Sequence, residues 1–277
     1  MEIKGWRNYQ HAAIPITAPH EPVNTAPIED KSIWKLGGGI TLLARWASDW
    51  DCNAETEWWY VIKDTPFDIA ALKSKRRYEI NKGNKNFVVR EINAGDYAED
   101  LYQISKAAYS TYPASYRPDI NHDSFIEYIS KCEDYKQYGA FSQEDGSLCG
   151  YARLERNGKY IDFAVLKAYP DKEKLAINAA IVYKILIDHE DFIKSGGYIC
   201  DGSRSIQHET AFQDYLEKYF QFRKAYCRLN VVYRPGFKWI ISILFLLRGL
   251  IKRLGNIGSM RKIYALLRME ELARSCR

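Results

Sequence analysis

The chain has 277 residues, of which 47% are hydrophobic and 27% are charged, and its net charge is +5. These values exclude a disordered chain, and so small a net charge does not by itself indicate a nucleic-acid-binding protein. Residues 236–277 carry nine Lys/Arg against two Asp/Glu, a net charge of +7, which leaves −2 for the rest of the chain.

The N-terminal third begins with an arm. Residues 1–33 contain four prolines and little periodicity, so we expect an extended segment there. Residues 39–46 and 57–63 have the composition of strands. Tryptophans cluster around the connection between them, which predicts a hairpin with an aromatic face.

A basic helix is predicted next, over residues 68–83, with Asp68 as N-cap and Gly83 as the stop signal. Its apolar stripe of Ile69, Leu72 and Ile80 has Arg76 at its centre. An arginine facing inward needs a partner, which is either a core carboxylate or the carboxylate or phosphate of a ligand. The remaining basic residues of 73–85 indicate a solvated face, with binding to RNA as the alternative.

From residue 86 the predicted elements come in a regular order. The strands are expected at residues 87–92, 139–142, 149–155, 160–166, 198–202 and 225–232. The helices are expected at residues 96–109, 123–131 and 174–189, and after Ser205. The three central strands form an antiparallel meander through the turns EDGS and RNGK.

One polar turn closes this region. The strand YICDG ends in Asp201 and Gly202, and Ser203 and Arg204 come next, before the following helix. Ligands of open α/β sheets collect beyond the carboxyl ends of strands, and a helix N-terminus favours anions. We therefore expect the substrate to bind here.

This order of elements resembles that of the GNAT acyltransferases. The last helix of the region and the residues after it, Ala211, Tyr215 and then Phe220-Gln221-Phe222, are similar to the family's closing stretch, although Gln221 replaces its glycine. KSKRRYEINKG at residues 73–83 resembles the basic helix of FemAB-like proteins. The resemblance implies an α/β fold with a GNAT-like mixed, mostly antiparallel sheet flanked by helices. Three segments are expected: residues 1–85 as arm, strand pair and basic helix, 86–235 as the GNAT-like domain, and 236–277 as an amphipathic helical tail.

The resemblance also implies an activity. It is acyl or aminoacyl transfer onto a small-molecule or glycan acceptor, such as a cell-surface polysaccharide or cell-wall precursor. The co-substrate implied is acyl-CoA or acetyl-CoA, without a metal. The family's glycine-rich pyrophosphate turn is replaced by LKAYPDKEKLAINAA, which leaves Lys172 and Lys174 at a helix start to bind the cofactor. An aminoacyl-tRNA donor, as in FemAB enzymes, stays open.

Several residues are candidates for the chemistry. Asp201 is placed to act as a base, or alternatively caps a turn. The resemblance gives Tyr215 the role of general acid, and the alternative is a tyrosine of the core. His208 and Glu209 either titrate at the site or simply charge the first turn of a helix.

Arg204 and Ser203 are expected to hold an anionic substrate. Asp162 is a base at the sheet opening or the structural partner of Arg76. The sequence has no Ser-His-Asp order and no Cys-His setting, which predicts direct transfer.

The tail contains FKWIISILFLLRGLIKRL at residues 237–254, an apolar run too short to span a bilayer. Its flanking Arg and Lys residues favour a helix lying in a membrane interface, with a helix docked on the protein or a dimer contact as alternatives. No two of the six cysteines have the spacing of metal ligands, and the N-terminal residues lack the apolar core of a signal peptide. We therefore expect a cytoplasmic protein, peripheral at the inner face of the membrane. A non-catalytic GNAT-fold module that binds a partner or a membrane is the alternative to the enzyme.

Overall fold

The computed structural model describes residues 1–114, 117–132, 135–206, 211–254 and 260–276. Its strands are β1 Trp6–Tyr9, β2 Ala12–Pro15, β3 Leu43–Ser48, β4 Trp58–Lys63, β5 Phe87–Ile92, β6 Lys136–Ser142, β7 Leu148–Asn157, β8 Tyr160–Ala168, β9 Tyr198–Ser203 and β10 Arg223–Tyr233. Its α-helices are α1 Ala26–Glu29, α2 Ser74–Asn86, α3 Ala98–Ser110, α4 His122–Ser130, α5 Pro170–Glu173, α6 Ile177–Asp188, α7 Glu190–Lys194, α8 Ala211–Phe220, α9 Phe237–Leu246, α10 Arg248–Leu254 and α11 Met260–Ser275.

The chain forms two compact units that interleave along the sequence. The first unit comprises Met1–Val61, Ser203–Ala211 and Lys224–Arg277, and the second comprises Ile62–Gly202 and Phe212–Arg223. The expected segments 1–85, 86–235 and 236–277 are contiguous in sequence, and they stay a prediction.

The second unit contains five neighbouring strands in the order β9–β8–β7–β6–β5. β5 to β8 are antiparallel, and the meander predicted from EDGS and RNGK is confirmed. α3 and α6 cover opposite faces. Tyr151 packs in a cluster with Leu101 and Ile104 of α3, whereas a side chain on the adjacent Gly150 would meet Ile177 of α6. The prediction of a mixed, mostly antiparallel sheet flanked by helices is thus confirmed.

β8 and β9 diverge soon after they begin to pair. They run in parallel, and their register covers only Tyr160↔Tyr198, Ile161↔Ile199 and Asp162↔Cys200, although β8 continues to Ala168 and β9 to Ser203. β8 also has a bulge at Ala164, because Arg153 pairs with Val165 and Leu154 with Phe163. A bulge bends its strand and re-aims the side chains beside it. The two strands therefore form a fork whose base is Asp162.

The first unit contains neighbouring strands in the order β1–β2–β3–β10–β4. The predicted hairpin of residues 39–46 and 57–63 is wrong, because β10 lies between β3 and β4 and pairs antiparallel with β3. The alternation predicted for β10 is confirmed. Its inward residues Cys227, Leu229, Val231 and Tyr233 pack in one cluster with Met269 and Leu272 of α11.

The predicted start and stop of α2 are also wrong. Residues 68–72 stay outside the helix because the Asp68 carboxylate accepts the Ala70 N–H (2.8 Å) and the Gln221 side chain binds the Asp68 backbone. Gly83 lies within the helix. A Cβ there would overlap the Ala176 carbonyl oxygen and come within 2.9 Å of the Ala180 nitrogen, so Gly83 allows α2 to approach α6 closely.

The tail forms α9, α10 and α11 in the first unit. α11 is docked on the core of that unit, whereas α9 exposes half of its apolar residues. Of the helices in the described ranges, none combines the length and apolar character needed to cross a membrane.

Candidate functional site

Two aspartates stand at the fork of the second unit. Asp162 is in the last residue pair of β8 and β9, and Asp201 directly follows its partner Cys200 on β9. The pKa of Asp201 is raised to about 7, chiefly by burial and to a smaller extent by the negative charge of Asp162. Desolvation penalises the carboxylate form, so this group exchanges a proton near neutral pH. A carboxyl with such a pKa is suited to general base catalysis.

Gln213 of α8 holds Asp201 in place. Gln213 is 8% exposed, and its Nε2 donates to the Asp201 backbone oxygen at 3.4 Å. Its side chain also bonds the Asp201 carboxyl, which opposes the rise in pKa. The sequence prediction missed Gln213. The available signal was a polar residue on the apolar face that Leu216 and Phe220 define.

Tyr215 lies on the same helix, within a run of aromatic rings. Phe212 stacks on Phe163 of β8 with a centroid distance of 6.0 Å, and Tyr215 stacks on Phe212 at 6.1 Å. Burial raises the pKa of the Tyr215 phenol, and the Glu79 carboxylate raises it as well. Within the described residues the phenol oxygen has no hydrogen-bond partner. Tyr215 therefore stays protonated and keeps its O–H free to donate.

Arg76 is half-buried on α2, on the same face as Ile80 and Gly83. Its guanidinium makes no ion pair in the part of the chain that the structure describes, and the alternative of a buried pair with Asp162 is not found there. Glu79, whose charge acts on Tyr215, is one turn further along α2. The structure therefore brings Asp162, Asp201 and Gln213 together at the fork, and it brings α2 beside Tyr215.

Arg204 and Ser203 belong to the first unit. The Arg204 guanidinium donates to the Glu57 backbone oxygen at 2.8 Å and to the Glu57 carboxylate at 2.5 Å, and it lies 4.4 Å from the centroid of the Trp59 ring. Glu57 thus already occupies the guanidinium that was expected to hold an anion. Ser203 lines a cavity of this unit.

Lys172 and Lys174 lie at the junction between β8 and α6. Lys172 lines a cavity of about 510 Å³ together with Arg90, Tyr97 and Asp100, and Lys174 is exposed. The amides of Lys172, Leu175 and Ala176 donate to carbonyls within the junction. Gly83 of α2 packs against the first turn of α6. These three amides are therefore not available to a pyrophosphate, and α2 lies against the helix start that would face it. His208 and Glu209 lie outside the described residues.

Comparisons with known proteins bear on the fold. No family model matches the chain, and no curated protein matches it. The structure of L-PGS from Bacillus licheniformis is similar over 90% of this chain and 85% of that chain, with 10% identity and a TM-score of 0.53. The structure of FemX is similar over 79% of this chain and 81% of that chain, with 7% identity and a TM-score of 0.51. These two likenesses establish the fold, and the predicted GNAT-like, FemAB-like fold is confirmed.

Proposed function

We propose that this protein is an aminoacyl- or acyltransferase that modifies a cell-wall or cell-surface glycan precursor, or a lipid, by direct transfer. The observation that carries the proposal is a carboxyl with a pKa of about 7 at the fork of β8 and β9. Acyl transfer needs a base that accepts the proton of an amine or hydroxyl at neutral pH, and Asp201 meets that need. The fold shared with L-PGS and FemX supports the same reaction class by analogy.

In the proposed reaction, the acceptor nitrogen or oxygen attacks the carbonyl carbon of the donor ester, and Asp201 takes the acceptor's proton. The tetrahedral intermediate then collapses, the bond from carbon to the donor oxygen breaks, and the leaving oxygen receives the Tyr215 proton. Solvent afterwards reprotonates Tyr215 and deprotonates Asp201. Gln213 acts as a positioning residue because it holds the Asp201 backbone and carboxyl. No covalent enzyme intermediate is required.

The donor that we propose is an aminoacyl ester of tRNA. At the junction that would hold the pyrophosphate of acyl-CoA, the amides of Lys172, Leu175 and Ala176 are bonded to carbonyls and α2 packs on the helix start, whereas an ester donor needs no such turn. Arg76, half-buried and without an ion pair among the described residues, is the residue we assign to an anionic group of the substrate. Asp162 sets the charge at the fork and raises the pKa of Asp201.

We also propose that residues 237–254 contact a membrane surface. Trp239 is 76% exposed and Leu246 is 80% exposed, and Ile240, Ile243, Leu247 and Leu250 continue the same exposed stripe. The basic residues Lys238, Arg248 and Lys252 lie beside it, and no acidic residue occurs between residues 236 and 269. Exposed apolar residues flanked by cations match an anionic lipid surface. Such a location suits an enzyme whose acceptor is carried by a lipid.

A transfer assay with the full chain tests the proposed reaction. Purified protein is mixed with tRNA charged with labelled amino acids and with a membrane extract that contains lipids and cell-wall precursors, and label in the acceptor fraction is counted. A parallel reaction contains labelled acyl-CoA. We expect transfer from aminoacyl-tRNA, its loss in Asp201→Asn, and its retention in Asp214→Asn, which changes an exposed carboxylate of α8.

Transfer from acyl-CoA instead of aminoacyl-tRNA would support the proposed transferase activity and contradict the proposed aminoacyl-tRNA donor. Two outcomes would contradict the proposed transferase activity and favour a non-catalytic module. One is that neither donor transfers label to an acceptor, and the other is that wild type and Asp201→Asn transfer label equally.

A further inference from the structure

The first unit contains a cavity of about 170 Å³ beside its sheet. Its walls come from β2, β3, β4 and β10, from Ser203 at the end of β9 and from residues 17–23 of the N-terminal arm, and they are mostly apolar. The lining residues with hydrogen-bonding side chains include Arg45, Trp58 and Thr17, and also Trp46, Tyr60 and Ser203. None of these residues takes part in the reaction proposed above.

The side-chain donors of Arg45, Trp58 and Thr17 have no partners within the described residues. The Trp58 Nε1–H and the Thr17 hydroxyl are buried without a hydrogen bond, and Arg45 makes no ion pair or hydrogen bond through its side chain. Burial lowers the pKa of Arg45, although a guanidinium remains protonated in proteins. Buried donors without acceptors are costly, so their presence in one cavity indicates a ligand that supplies acceptors.

The chemistry of the lining narrows the ligand class. The described residues that line the cavity include no Asp or Glu, so the positive charge of Arg45 is not neutralised there and an ammonium group has no counter-ion. A planar guanidinium matches the two oxygens of a carboxylate. Trp46, Tyr60 and Leu229 supply apolar walls, and the volume is close to that of a cavity that holds a benzene-sized group.

We propose that this cavity binds the carboxylate of a small organic acid with an apolar body, with Arg45, Trp58 and Thr17 as donors. The guanidinium takes the two carboxylate oxygens, the indole N–H and the threonine hydroxyl donate to the same group, and the body of the acid fills the apolar part. The site lies wholly within the first unit and does not depend on the proposed transferase activity.

Binding of matched acids and amides tests the site. The probes are benzoate, phenylacetate and isovalerate, each paired with its neutral carboxamide, and dissociation constants are measured by calorimetry and by ligand-observed NMR on the full chain. We expect at least one acid to bind wild type at least tenfold more tightly than its amide. Arg45→Met keeps an unbranched apolar stem, and it should weaken that acid at least tenfold while leaving the amide unchanged.

Two further variants separate the site from general damage. Trp58→Phe removes only the N–H donor and part of the ring, and it should weaken the acid several-fold. Arg7→Met changes an exposed arginine of the same unit and should leave binding unchanged. Thermal melting without ligand should show Arg45→Met at least as stable as wild type, because an unpaired charge has been removed. The proposal is overturned if no acid outperforms its amide, or if Arg45→Met and Arg7→Met bind the acid equally.

Discussion

At the scale of single residues, Asp201 owes its character to two neighbours of opposite effect. Burial and the charge of Asp162 favour its protonated form, whereas Gln213 favours the carboxylate, and the resulting pKa is about 7. We predict that the rate of transfer rises as pH increases through about 7 and then levels off, because only the carboxylate accepts a proton. Asp201→Asn should lower the rate at least 100-fold and abolish this rise. Rates measured between pH 5 and 9 test it, and a profile unchanged in the variant would contradict it.

The same shift predicts a dependence of folding stability on pH. The folded pKa of Asp201 lies above the value of about 3.9 for an unfolded chain. Its contribution to stability is therefore complete below about pH 4 and is lost as pH rises through about 7. At pH 8 Asp201→Asn should be more stable than wild type by about 1–3 kcal/mol, and near pH 4 the two should converge. Urea unfolding at both pH values measures this difference. Asp214→Asn is the control, and its stability relative to wild type should not depend on pH in this way.

Substitution of Tyr215 distinguishes a catalytic role of its hydroxyl from a role in packing. Because its hydroxyl has no hydrogen-bond partner among the described residues, Tyr215→Phe should change the free energy of unfolding by less than about 1 kcal/mol. Its rate of transfer should fall about 100-fold, because the leaving oxygen loses its proton donor. Tyr219→Phe, whose ring lies 4.8 Å from that of Tyr215, is the control and should keep the wild-type rate. A Tyr215→Phe enzyme with full activity would remove the phenol from the mechanism.

The sequence allowed some of these residues to be predicted and not others. Asp201 was expected at a strand end before a Gly turn, but β9 continues to Ser203, and Gly202 adopts its φ of +88° within the strand. The role of Asp201 as a base stays a prediction. Gln213 and Arg45 could not be predicted, because an amide on an amphipathic helix or an arginine in a strand has no local sign of burial. Their roles depend on contacts between segments far apart in the chain. The ion pair of Arg204 could not be predicted either, since its partner Glu57 is 147 positions away, and the expected role of Arg204 in binding an anion stays a prediction.

At the scale of elements, the local sequence pattern predicted where strands occur better than it predicted how they are ordered in the sheet. β5 was predicted with its observed ends, and the meander strands with ends within a few residues, because alternation and turn signals are local. The order β3–β10–β4 could not be predicted in the same way. Two consecutive runs of strand residues favour a hairpin. No local signal indicates that a strand 160 or more residues later will lie between them, as β10 does where Leu229 pairs with Ala47.

Two helical glycines provide a paired prediction on packing. Gly83→Ala should destabilise the protein by about 2 kcal/mol or more, because its Cβ would meet backbone atoms of Ala176 and Ala180 that cannot yield without moving α6. Gly249→Ala in α10 meets nothing within 4 Å and should stabilise by up to about 1 kcal/mol through helix propensity. Chemical unfolding of both variants tests the pair. Equal effects at the two positions would show that α2 and α6 are not in close contact.

At the scale of the whole molecule, the chain divides its charge between a basic tail and a slightly acidic remainder. The net charge of +7 in residues 236–277 coincides with the exposed apolar stripe of α9 and α10, and one surface thus offers both attractions that hold a protein on an anionic bilayer. We predict that the protein sediments with phosphatidylglycerol-containing vesicles, weakly with phosphatidylcholine vesicles, and less at high salt.

Substitution on that stripe sharpens this prediction and separates it from self-association. Leu246→Asp and Trp239→Ser should each weaken vesicle binding about tenfold, because each removes a large apolar side chain from the bilayer interface. Ile16→Asp changes an exposed apolar residue outside the tail and should bind as wild type does. Sedimentation equilibrium without lipid distinguishes the remaining alternative. A dimer that dissociates in Leu246→Asp, together with vesicle binding that the variant leaves unchanged, would assign the stripe to a second copy of the chain and not to a membrane.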